Sequence, residues 1–134
     1  MLVRVAAILA LVCLARPALA LDACFTDSFG LWRGPVYNGP GIQTMETEFH
    51  VQPDGTLAGG YHVHDTTAFD GSLTGFKQTG NCEAEFTWKD RYGTGVVHIR
   101  FEPELGRFLG YWGLVSPNPG LVFDGYRVGE EHVS

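Results

Sequence analysis

The chain has 134 residues, 45% of them hydrophobic, with 15 acidic side chains against nine Lys and Arg and a formal net charge of −6. That balance disfavours nucleic acid or an anionic membrane surface as a partner, because both are held by clustered basic side chains. The length corresponds to one domain with a modest core.

Residues 1–20 read as an export signal. Arg4 precedes the short apolar run "VAAILALVCLA", and "ALA" at 18–20 supplies small residues for cleavage after Ala20. The run is too short to span a bilayer, and no later segment is long enough. Cleavage would remove Arg4 and Arg16 but no acid, taking the formal charge from −6 to −8 and leaving residues 21–134 as the domain. Cys13 would leave with the signal. Cys24 and Cys82 would then meet in an oxidising compartment, secreted or periplasmic, where a disulfide between them is expected. The alternative is "LDAC" at 21–24 as a lipoprotein site with a lipidated Cys24. Asp22 fits such a site poorly, and Cys82 would be left odd.

Beyond Leu21 there is no long segment with a 3.6-residue period. Short runs near 28–33, 43–51, 56–64, 69–76, 82–88, 94–101, 107–113 and 121–128 are separated by Gly, Pro, Asn and Asp. About eight strands at this spacing predict an all-β sandwich or barrel. "FHVQPDGTLA" reads as a hairpin with Gly55 at positive φ. Setting Gln52 opposite Thr56 pairs Val51 with Leu57, Phe49 with Gly59, Thr47 with Tyr61 and Met45 with Val63 on one face. The other face receives Glu48 with Gly60, Glu46 with His62 and Thr44 with His64. A slip of one residue would undo this sorting.

A Gly-x-large-x-Gly pattern recurs in "GTLAG", "GSLTG" and "GRFLG", each followed by aromatics: Tyr61, Phe76, Tyr111 and Trp112. Gly59, Gly75 and Gly110 share the face of the large residue, where a glycine admits a bulky neighbour or lets a strand coil. In the strand at 82–88, Cys82, Ala84, Phe86 and Trp88 share one face, opposite Glu83, Glu85 and Thr87. "FEPELGRF" sets Phe101 opposite Phe108, Ile99 opposite Gly110 and Val97 opposite Trp112. Consecutive hairpins with short links predict an eight-stranded antiparallel up-and-down meander barrel, closed so that no edge is exposed. A flat two-sheet sandwich with bulges at the glycines is the alternative.

Gly30-x-Trp32 near the start of the first strand and Arg127 in the last strand resemble the calycin superfamily of lipocalins, fatty-acid-binding proteins and avidins. "GTLAGGY", "TWK", "YW" and "RVG" are similar to avidin segments, and the length is closer to avidins than to lipocalins. The resemblance implies that Trp32 lies at the closed end with Arg127 covering its indole. It also implies an aromatic site built from Tyr61, Trp88, Trp112 and Phe123. The polar half of a biotin site is not matched. "WRGPVYNG" lacks the Asn and Ser that follow the first-strand Trp, Val63 stands where avidins have Thr, and the last-strand Asn falls near Glu131. Cys82 precedes Trp88, whereas the avidin disulfide partner follows its Trp. The barrel carries over, and biotin does not.

Five histidines raise the question of a metal. His62 and His64 share a face with Glu46 and could form a weak Zn or Cu cluster. The simpler reading is a solvated face with a cross-strand Glu–His pair, and no metal or cofactor is assigned. His50 lies too far along the sheet, His98 points away from the apolar face, and His132 falls in the tail. No nucleophile motif or phosphate loop occurs. Asp70 and Asp124, flanked by aromatics, are the best carboxylates for an apolar pocket, although both also read as turn or bulge residues. "YNGPG" (37–41) and "DRYGTG" (90–95) are loops able to rim a barrel mouth.

Two functions from different classes follow. The first is non-catalytic binding of a small apolar or aromatic ligand in a lumen lined by Tyr61, Phe86, Trp88, Phe108, Trp112 and Phe123. The second is a secreted protein-interaction module, such as a hydrolase inhibitor, that uses the mouth loops. A barrel-type isomerase or cyclase with one buried acid stands third, and self-association is left open. Lumen volume separates the first two: hundreds of Å³ favour a ligand, whereas a filled lumen favours the module.

Overall fold

A computed structural model describes residues 21–64 and 68–129, so the expected signal at 1–20, Glu131 and His132 lie outside the described residues. A one-turn helix, α1 (Ala23–Thr26), precedes eight strands: β1 (Gly30–Tyr37), β2 (Ile42–Val51), β3 (Leu57–His64), β4 (Phe69–Gly80), β5 (Glu83–Asp90), β6 (Gly93–Glu102), β7 (Arg107–Gly113) and β8 (Gly125–Arg127). Each strand is antiparallel to its neighbours, and β8 returns to β1, which closes the barrel in sequence order. The flat sandwich is thereby displaced. Among the described residues no helix is long and apolar enough to cross a membrane.

The two hairpins take the registers their alternation dictates. Val51 faces Leu57, Thr47 faces Tyr61 and Met45 faces Val63, while Phe101 faces Phe108 and Val97 faces Trp112. Gly55 has φ 84° in the β2–β3 turn. A Cβ at Gly59 would stand 3.0 Å from the Phe49 ring, so this glycine does admit a bulky neighbour. Gly75 acts differently. It has φ 65° at a register break between Thr74 and Lys77, so it bends β4 rather than clearing space.

Several boundaries depart from the sequence expectation, among them the ends of β1 at Tyr37 and of β5 at Asp90. β1 starts at Gly30, because residues 23–26 take the helical turn. β4 runs on to Gly80, because its bulges keep a twisted strand paired with β5. β8 is only three residues long. Before it, Val122 and Phe123 make single bridges to Tyr111 and Val36. The Asp124 carboxylate then accepts the Gly110 N–H at 3.0 Å, in place of a ladder carbonyl.

The closed half of the barrel is filled by aromatic rings. Phe49 packs edge-on against Phe101 and Phe108 with centroids 5.1 and 5.5 Å away, and Phe86 lies 5.9 Å from Phe49. Phe25 of α1 plugs this end, edge-on to Phe76 and Phe101. Such edge-to-face pairs match the ring quadrupoles. Cys24 of α1 is disulfide-bonded to Cys82 across a Cα–Cα distance of 5.7 Å. With its sulfur so engaged, Cys24 cannot carry the thioether of a lipoprotein. Trp32 is 1% exposed and donates its indole N–H to the Ser28 carbonyl at 2.8 Å. The Arg127 guanidinium lies 3.9 Å from the Trp32 ring centroid and donates to the carbonyls of Asp27 and Phe29.

Candidate ligand pocket at the open end of the barrel

The opposite end, where β1, β3, β5 and β7 finish, holds a cavity of about 60 Å³. Strand alternation turns Tyr61, Trp88 and Trp112 inward, and the bridge at Phe123 brings that ring beside them. Each is fixed by a second contact. Trp88 donates its indole N–H to the Gly113 carbonyl at 3.1 Å and fits only because Gly95 lacks a side chain; a Cβ there would meet Trp88 Nε1 at 2.6 Å. Trp112 donates to the Tyr37 carbonyl at 2.9 Å and meets Trp88 edge-on at 5.4 Å. Tyr61 lies edge-on to Phe123 at 5.5 Å. Its ring passes over Gly71, where a Cβ would meet Tyr61 Cζ at 2.0 Å.

The Tyr61 hydroxyl ends at Asp90, donating to Oδ2 at 2.6 Å. Burial, reinforced by the adjacent carboxylate, pushes the Tyr61 phenol far above its ordinary range, so it stays protonated. The other Asp90 oxygen, Oδ1, accepts the Tyr92 backbone N–H at 2.8 Å and fixes the β5–β6 turn. Phe69 and Tyr92 meet edge-on at 5.0 Å on the rim, and Arg91 stacks over both rings. Tyr37 and Asn38 supply the facing rim, and Val36 and Val63 complete the apolar wall.

Four of the six residues expected to bind a ligand therefore converge: Tyr61, Trp88, Trp112 and Phe123. Phe86 and Phe108 do not. They share the inward face but sit nearer the closed end, packed into the core at 1% and 0% exposure. The volume is also far below the hundreds of Å³ of a drug-sized site. It is less than half the roughly 150 Å³ apolar cavity that accepts benzene.

The two loops expected to rim the mouth supply Tyr37, Asn38, Asp90 and Tyr92, while Val36, Val63 and Phe69 were not anticipated as lining; what sequence reasoning missed at Asp90 is its inward orientation, although the signal was present. Ala84, Phe86, Trp88 and Asp90 follow the same period of two, so one more strand residue pair carries the carboxylate inside. The two carboxylates singled out instead lie elsewhere. Asp70 is exposed on the outer wall, 2.6 Å from His62 Nδ1. Asp124 is half-buried at the β7–β8 junction, where desolvation raises its pKa against the opposing pull of the Gly110 N–H and Arg107.

The outer wall over β1–β4 carries a wide, open groove lined by Glu46, Glu48, His50, His62 and Asp70. Glu46 stands opposite His62 but does not bond to it. It contacts Arg33 at 3.1 Å and His64 at 3.2 Å, and those hydrogen bonds, Arg33 first, hold its carboxyl below the ordinary range. Among the described residues no three His, Cys, Asp or Glu side chains converge to hold a metal ion. Comparison with known proteins finds no matching family model, no matching curated protein and no matching solved structure.

Proposed function

We propose that the protein is a non-catalytic binding module that takes a small, largely apolar or aromatic group into the open end of its barrel. The small volume by itself favours the interaction module; what carries the ligand reading is the convergence of Tyr61, Trp88, Trp112 and Phe123 around one 60 Å³ pocket above a filled core, sized for one small group at the mouth rather than for a lumen-filling ligand. The proposal includes export with cleavage after Ala20, supported by the Cys24–Cys82 disulfide, because such bonds persist in oxidising compartments. It also includes kinship with the calycins, supported by Arg127 lying over Trp32.

A panel of small aromatic and aliphatic probes, followed by the three indole N–H resonances, tests the reading. Binding should shift the Trp88 and Trp112 signals, spare Trp32, and be lost in a folded Trp112→Ala variant. No shift with any probe would defeat it. A second reading has its own support. The filled lumen and the exposed Leu114, Val115 and Tyr92 at the same end suit a protein partner that inserts one side chain. Under that reading Leu114→Ser/Val115→Ser would abolish partner binding, and small probes would leave the indole resonances in place.

A further inference from the structure

We infer that the group recognised by this pocket is a small ammonium head, held between the aromatic walls and the Asp90 carboxylate. The inference rests on the proposed binding function and specifies the charge of what binds.

The first argument is the polarity of the walls. The inner walls hold three side-chain donors, the Trp88 and Trp112 indoles and the Tyr61 hydroxyl, and all three already donate inside the protein. They present ring surface to an incoming group. Asp90 holds one hydrogen bond on each oxygen, and an ionised carboxylate has about four acceptor sites. An anionic or carbonyl-rich group would meet the Asp90 carboxylate and π faces at depth, with the hydroxyl and amide groups of Tyr37, Asn38 and Tyr92 confined to the rim. A cation would find both kinds of partner it needs, because aromatic faces attract cations through the ring quadrupole.

The second argument is desolvation. A neutral hydrocarbon seated in the pocket would take water from Asp90 and return nothing, which is unfavourable for a charged group. An ammonium replaces that water with an opposite charge. No Lys, Arg or His is among the described residues lining the pocket, and Arg91 is engaged with the outer rim rings. The chain as a whole carries a formal charge of −6, which raises the local concentration of cations. The third argument is size. About 60 Å³ encloses only part of a methylated ammonium head or of a benzene ring, which have similar bulk, so size limits the occupant to one small group whose substituents stay outside the open side.

The test compares choline with 3,3-dimethyl-1-butanol, which has nearly the same shape but carbon in place of the charged nitrogen. Both are titrated into the full mature protein while the three indole N–H resonances are followed. Choline should shift Trp88 and Trp112 at concentrations at least tenfold lower than the alcohol, and added salt should weaken it. Asp90→Asn should cut choline's advantage over the alcohol to less than threefold, because the amide neither attracts the cation nor penalises the neutral group by losing water from a charge. Equal binding of the two compounds by the wild-type protein overturns the ammonium inference while leaving the apolar pocket standing, and this comparison needs no variant. If neither compound nor any aromatic probe moves either resonance, the binding function itself fails and the inference with it.

Discussion

Gly71→Ala should disable the pocket by adding a single methyl group outside its lining aromatics. Gly71 has no positive φ, so an alanine meets no backbone strain there. Its Cβ, however, would stand 2.0 Å from Tyr61 Cζ and 2.3 Å from the hydroxyl oxygen. Carbon atoms pack at about 3.5–4.0 Å, so the ring must move by roughly 1.5 Å. The 2.6 Å bond to Asp90 cannot survive that displacement. Overpacking costs about 1–3 kcal/mol, and breaking a half-buried hydrogen bond to a charged group adds about 1–3 kcal/mol. A combined loss of about 2–6 kcal/mol corresponds to a fall in melting temperature of roughly 8–24 °C for a domain this size. Calorimetry or urea titration measures it. The decisive comparison is the same substitution in a Tyr61→Ala background. With the ring gone, Gly71→Ala should cost less than about 1 kcal/mol. An equal cost in both backgrounds would refute the assignment of Gly71 as the seat of Tyr61.

Trp32→Ala should destabilise the fold by about 3–5 kcal/mol, because the ring is fully buried, whereas Arg127→Ala should cost about 0.5–2 kcal/mol for the lost stacking and more for the lost donation to the Asp27 and Phe29 carbonyls; equilibrium unfolding measures both variants, and Arg127→Lys should restore only part of the loss, because the forked contact to two carbonyls needs a guanidinium. Replacing Cys24 and Cys82 together by Ser should cost about 4 kcal/mol on the chain-entropy view of a 58-residue separation, and an unchanged urea midpoint would contradict it. Asp124 has its folded pKa raised, so its neutral form favours the fold; that contribution is present below the ordinary carboxylate pKa and is lost as pH rises through the folded value. Asp124→Asn should therefore compare more favourably with wild type at pH 7 than at pH 3, by less than about 1 kcal/mol after solvent screening, and urea titrations giving the opposite order would refute it.

The inward and outward faces were legible because alternation constrains two strands at once. In the β2–β3 hairpin, a single register placed Met45, Thr47 and Phe49 against Val63, Tyr61 and Gly59, and any slip would have buried Glu46 and Glu48. Height along the barrel was less legible. Phe86 and Trp88 share a face, yet two residues along the strand separate a packed core ring from a pocket wall. Whether space remains depends on the summed volume of rings arriving from all the strands, which no single run encodes. Asp90 was hidden by ending β5 at Trp88, a break suggested by the turn chemistry of "DRYG". β8 read as longer than it is, because "LVFDGYRV" is a run of β-branched and aromatic residues that follows the turn residues "PNPG". What interrupts it is a side chain, Asp124, taking the place of a backbone acceptor on Gly110.

The brevity of β8 gives the cylinder one narrow stave. It pairs with β1 at Trp32–Arg127 and Arg33–Tyr126, and with β7 at Arg107–Tyr126 and Phe108–Gly125. Above those pairs the wall is held by two isolated bridges, the Asp124 carboxylate, and the Trp112 indole reaching Tyr37. Four backbone hydrogen bonds run through those bridges, two to each neighbouring strand; this line is still the shortest ladder in the wall, so it should breathe first and its amides should exchange with solvent before those of the longer strands. Val36 and Tyr37 lie on one side of it, Trp112 on the other, and Phe123 within it. All four face the pocket. An occupant would touch both banks of the seam and act as its rivet, so the amides of residues 121–127 should gain more protection on binding than those of the β2–β3 hairpin.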